Sequence, residues 1–166
     1  MRLRFFHPAI IVAGIFSFLI QDCVDSNQAS LPDVSLAELK AAPDTVTLSG
    51  RRYVLQTFLW RDFMPPAPPE GQPLIASISI VEIDSEAIPD DLDAPFVWVV
   101  YKDSIWATAV SCEQRPQSQP SILEKIARDG PKWGPDVEVD VIVGLKPGSG
   151  DCVLLRAPAQ TIHATS

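Results

Sequence analysis

The chain has 166 residues, 21 of them acidic and 13 basic, with a net charge of -8; that is the size of one ordinary domain with room for a real core. The acidity and the lack of any Lys/Arg cluster argue against nucleic acid and anionic membrane surfaces as partners, since both would be repelled. An apolar fraction of 46% beside 16 prolines describes a loop-rich but well-cored globular protein and excludes a disordered one.

Residues 1–29 read as a signal peptide. Arg2 and Arg4 precede an apolar run from Pro8 to Ile20, and polar residues from Gln21 onward end it. The run is shorter than the roughly 20 residues a helix needs to cross a bilayer, so no transmembrane span is expected after processing. The expected location is periplasmic or extracellular. Cys23 lies where the acylated cysteine of a bacterial lipoprotein would lie, which makes a lipid anchor the alternative. Such signals resemble Leu-Ala-Gly-Cys, whereas here Ile20-Gln21-Asp22 precedes the cysteine. Cleavage after Ser26 or Ala29 would discard Cys23.

Residues 30–43 read as a linker holding one or two helical turns at Leu36-Ala37-Glu38-Leu39-Lys40, closed by Pro43. From Thr45 the apolar residues recur with period two, the signature of half-buried strands. Val46 and Leu48 mark the first strand. Arg51 to Asp62 is the second, with Tyr53, Leu55 and Leu59 on one face and Val54, Phe58 and Trp60 on the other; two apolar faces predict a central strand. Leu74 to Ile83 is the third, with Ser77 and Ser79 opposite its apolar face. Phe96–Tyr101 and Ser104–Cys112 read as a hairpin with Lys102-Asp103 at its tip. In the sixth strand Val137, Val139, Val141 and Val143 point inward and Asp136, Glu138 and Asp140 outward, as in a sheet packed on one side only. The turn residues of Pro147–Asp151 lead into a last strand from Cys152 to Arg156, which Gln160–Thr165 would extend past Pro158.

These observations predict an all-β, antiparallel two-sheet sandwich, immunoglobulin-like, of about seven strands, forming a single domain over residues 44–166. One short helix is expected over about 121–129, because Ser121-Ile122-Leu123-Glu124 has the form of a capping box and Gly130-Pro131 would stop it. The odd cysteine count leaves one thiol over. Cys112 and Cys152 are the expected disulfide, provided the helix carries the chain back so that the sixth strand runs the same way as the fifth.

The proline-rich segment Arg61–Pro73 is the most distinctive local feature. Its prolines stiffen it, and Arg61, Asp62, Phe63 and Met64 would present an apolar tip to a partner; the competing reading is a rigid connection whose apolar residues fill the core. Trp133, in Gly130-Pro131-Lys132-Trp133-Gly134-Pro135, is a candidate stacking platform. The expected function is therefore a non-enzymatic module that binds an envelope or extracellular protein, through Arg61, Asp62, Phe63, Met64 and Trp133. The alternative is a small-ligand domain taking carbohydrate or calcium through Trp133 and the acids between Glu82 and Asp93. A hydrolase is the weakest reading. Ser149 with His163 would be its sole histidine-based pair, and no nucleophile elbow surrounds Ser149. No zinc spacing and no phosphate-cradling glycine motif appears, and no cofactor or metal is expected.

Overall fold

The computed structural model describes residues 31–112, 119–148 and 150–165. The expected signal peptide, Cys23 and Ser149 lie outside the described residues. One short helix, α1 (Leu36–Ala41), precedes eight strands: β1 (Thr45–Leu48), β2 (Arg51–Asp62), β3 (Leu74–Glu82), β4 (Leu92–Tyr101), β5 (Ser104–Ala109), β6 (Ile122–Gly130), β7 (Glu138–Pro147) and β8 (Val153–Thr165). No helix of the described residues is long and apolar enough to cross a membrane.

The chain is mostly β, but its strands form one curled sheet, a half-barrel, in place of two separate sheets. The hydrogen-bonded path runs β5-β4-β7-β8-β2-β3-β6, with β1 on the side of β2. Continuity comes from β8. Its first part pairs antiparallel with β7, and its last residues run parallel to β2, from Leu59 opposite Ile162 to Asp62 opposite Thr165. The strand bends at Pro158-Ala159, where Ala159 takes a φ of 53° and the register slips between Val139 and Val141. A bulge is where a strand accommodates proline and turns a corner.

The inner face carries the core: Tyr53, Leu59, Ile78, Val97, Val141 and Leu155 are all essentially inaccessible. At the seam, the two ends of the path meet. Ser111, just beyond β5, exchanges backbone hydrogen bonds with Ile126 of β6 at 3.2 and 2.9 Å. Trp106 lies flat against Gly130, where a β-carbon would stand 2.7 Å from the indole. Lys125 Nζ, buried on the core side of β6, meets Asp93 Oδ1 of β4 at 2.6 Å.

The helix expected over 121–129 is strand β6. Alternation decides it: Leu123, Lys125 and Ala127 turn inward, opposite Ile80, Ile78 and Ala76 of β3. Ile122 and Ile126 are β-branched, and pairing along the whole edge of β3 outweighs the local capping signal. The working capping box lies in the stretch read as a linker. Glu38 N–H donates to Ser35 Oγ at 3.2 Å, and Ser35 N–H donates to Glu38 Oε2 at 2.9 Å. The helix α1 so started buries Leu39 against the outer side of β4 and β7, with Phe96, Trp98, Val100 and Ile142 beneath it. Arg156 of β8 fastens its far end, donating to the Lys40 carbonyl.

Ser35→Ala is expected to weaken α1 by about 1 kcal/mol, read as faster amide exchange over residues 36–41. The Ser35 hydrogen bonds hold the Glu38 carboxyl below its ordinary range. A lowered carboxylate pKa stabilises above that range and loses its contribution as the pH falls through the lowered value. Acid should therefore loosen α1 in the parent and change the Ser35→Ala protein less.

Candidate functional site

The proline-rich loop is folded back on itself. Gln72 N–H donates to the Asp62 carbonyl at 2.8 Å and closes its base, and Met64 N–H donates to Asp62 Oδ1 at 2.8 Å. Phe63 rests on Gly71, which has a φ of 74° and leaves a β-carbon no room, the ring being 2.5 Å away. At its centre is Arg61, only 3% exposed. The guanidinium donates to four backbone carbonyls, those of Gln72 at 2.9 Å, Gly134 at 2.7 Å, Lys132 at 3.3 Å and Glu70, and lies 5.0 Å from the centroid of Phe63. Burial pulls its pKa down while the charge of Glu70 opposes that. Arg61 thus clamps the proline-rich loop to the segment 131–135, and Lys132–Glu70 at 3.2 Å bridges the same two loops outside. Trp133 packs half-buried against the core, with Tyr101 at 5.5 Å. Of the five residues expected to meet a partner, Met64 is the exposed one, at 50%.

A second surface has the opposite character. On β2, Val54, Gln56, Phe58 and Trp60 point away from the core, and their cross-strand neighbours extend them into rows. Val54 stands beside Val81, and Val81 beside Ile122. Next comes the row Gln56, Ser79, Glu124, then Phe58, Ser77, Ile126. The last row is His163 of β8, Trp60 and Ile75. Phe58 is 50% exposed. It stacks on His163, centroids 5.1 Å apart and planes 14° from parallel, and on Trp60 at 5.5 Å and 29°.

The same alternation that buries Tyr53 and Leu59 brings these three rings outward. They escape a reading of the sequence because two apolar faces on one strand look like an interior strand. The serines of β3 carried the missing signal, since Ser77 and Ser79 share the side of Phe58 and mark it as wet. The strand is central in hydrogen bonding, between β3 and β8, yet its outer face is open. The other half of the half-barrel handles its outer apolar residues differently, with α1 laid over Phe96, Trp98 and Ile142.

The expected disulfide between Cys112 and Cys152 does not form, and Cys152 keeps a free thiol. The sixth predicted strand, now β7, does run the same way as β5, as both are antiparallel to β4, but the two sulfurs lie on opposite sides of the sheet. Cys152 Sγ sits over Gly144 beside Trp98, on the outer face, where partial burial raises its pKa against the pull of Lys146. Cys112 Sγ receives a hydrogen bond at 3.2 Å from Lys125, whose side chain faces the core.

The acids between Glu82 and Asp93 disperse. Glu82 is buried with Oε2 bound to the Glu86 N–H at 2.7 Å. Glu86 pairs with Arg51 and Asp84 with Arg52, each at 3.1 Å. Among the described residues no group of His, Cys, Asp and Glu could hold a metal ion.

No family model, curated protein or solved structure matches the chain.

Proposed function

We propose that the chain is an exported, non-enzymatic β-module that binds another envelope or extracellular macromolecule, with the outer face of β2, β3 and β8 as its contact surface. One observation carries this reading: the Phe58, Trp60 and His163 rings stack in the open on one half of a sheet whose other half is covered by α1. A patch of this kind on a small acidic domain has a cost in solubility that a binding role explains. The proline-rich loop is a rigid neighbour at the end of β2, and Met64 is the residue it offers.

The test separates contact from core. Phe58→Ser is expected to stay within about 0.5 kcal/mol of the parent in urea unfolding, as exposed positions do, and to lose the partner captured by crosslinking intact cells. Met64→Ser serves as the comparison at the loop. If Phe58→Ser captures the same partner as the parent, or costs several kcal/mol, this face is not the contact surface.

A further inference from the structure

Resting on that reading, we infer that the outer face of β2, β3 and β8 is a saccharide platform, and that its ligand is an uncharged polysaccharide. Three arguments from the rows lead there. The first is the stack itself. Phe58, half exposed, stacks on both His163 and Trp60 at 5.1 and 5.5 Å, so the three rings form one aromatic group whose free edges and outer faces can meet the C–H groups of a pyranose chain.

The second is the polar row beside the stack. Gln56 brings an amide that both donates and accepts, Ser77 and Ser79 bring hydroxyls that do the same, and Glu124 brings an acceptor. That set matches neighbouring sugar hydroxyls, each of which needs a donor and an acceptor. It also decides against an apolar protein surface as the occupant. Such a surface, to reach Val54, Val81 and Ile122 as well as the rings, would cover the Gln56, Ser79, Glu124 row and leave it unpaired, at a desolvation cost a polyol does not incur.

The third is charge. The four rows contain no lysine or arginine. Their fixed charge is Glu124, with Asp62 at the end of β2; at their edge on β6 the exposed Arg128 and Asp129 follow one another with opposite sign, and the next outward residue of β2, Arg52, is engaged by Asp84 at 3.1 Å. On a chain of net charge -8, such a face repels uronate and sulfate polymers and leaves uncharged ones.

The experiment is retention of the purified full chain on insoluble cellulose, chitin, xylan and β-1,3-glucan, with polygalacturonate and heparin resins as anionic controls. Soluble oligosaccharides of any retaining polymer are then titrated against tryptophan fluorescence. The expected result is retention on at least one uncharged polymer and on neither anionic resin. Phe58→Ala and Gln56→Ala should each weaken binding about tenfold or more, equivalent to about 1.4 kcal/mol, with unchanged urea midpoints. Retention on the anionic resins alone, on nothing, or equally by Phe58→Ala overturns the saccharide assignment. If nothing is retained while crosslinked capture of a protein still depends on Phe58, the assignment falls and the binding face stands; if that capture is also missing, both fall.

Discussion

Arg61→Ala is expected to destabilise the protein by about 3–5 kcal/mol, the range for breaking a buried charged network. The side chain is 3% exposed and satisfies carbonyls of Glu70, Gln72, Lys132 and Gly134. Its removal leaves partly buried acceptors in two loops without their donor and opens a hole beneath Phe63. Arg61→Met fills the hole but leaves the carbonyls without donors, and should recover only part of the loss. Arg61→Lys keeps the charge but lacks the planar fork that reaches several carbonyls at once, and should fall between Met and the parent. Urea midpoints rank the three. Hydrogen exchange should show the loss concentrated at 63–73 and 131–135. A uniform loss across the sheet, or Arg61→Lys equal to the parent, would mean that the charge alone matters and the clamp does not.

Asp93→Ala is the second large effect, at about 3 kcal/mol. It leaves the Lys125 ammonium buried, its side chain 2% exposed, with the sulfur of Cys112 as a weak acceptor at 3.2 Å. An unpaired buried charge costs about 3–5 kcal/mol. The lower end applies because Asp93 is 38% exposed, so water follows the deletion. Lys125→Met should behave differently. It removes the buried charge and keeps the stem that packs against Ile78, and Asp93 turns to solvent, so a loss under about 1.5 kcal/mol is expected. The double variant should regain most of what Asp93→Ala loses. Equal losses for both single variants would show that packing, not the ion pair, fastens the seam between β4 and β6.

Much of the sheet was legible. The ends of β2 at Arg51 and Asp62, the hairpin tip at Lys102-Asp103, and the inward Val139, Val141 and Val143 follow from alternation and turn chemistry, which are local. What failed was long-range. Ser35-x-x-Glu38 and Ser121-x-x-Glu124 are the same motif, and one starts a helix while the other enters a strand, because only the second lies along an unpaired edge of β3. Ile142 illustrates the same limit. It sits among the outward acids of β7, yet it is fully buried, because α1 comes from about 100 residues earlier in the chain to cover it. The candidate site was missed for a related reason. Period two assigns Phe58 and Trp60 to one side of β2 but does not say which side the rest of the molecule leaves open.

Without β8 the hydrogen-bonded path separates into β5-β4-β7 and β2-β3-β6, which then meet at the seam, through the Ser111–Ile126 bridge, the Lys125–Asp93 pair and the contact of Trp106 with Gly130. The β2–β3 and β4–β5 hairpins join neighbours in sequence and form at low loop-closure cost. The pairing of residues 59–62 with 162–165 closes a loop of roughly a hundred residues, and contacts of that separation slow folding. Closure is thus the late step, made when the last described strand arrives. Until then the two half-sheets have open strand edges and an uncovered apolar interior, and that interval is when nascent or refolding chains are most prone to aggregate.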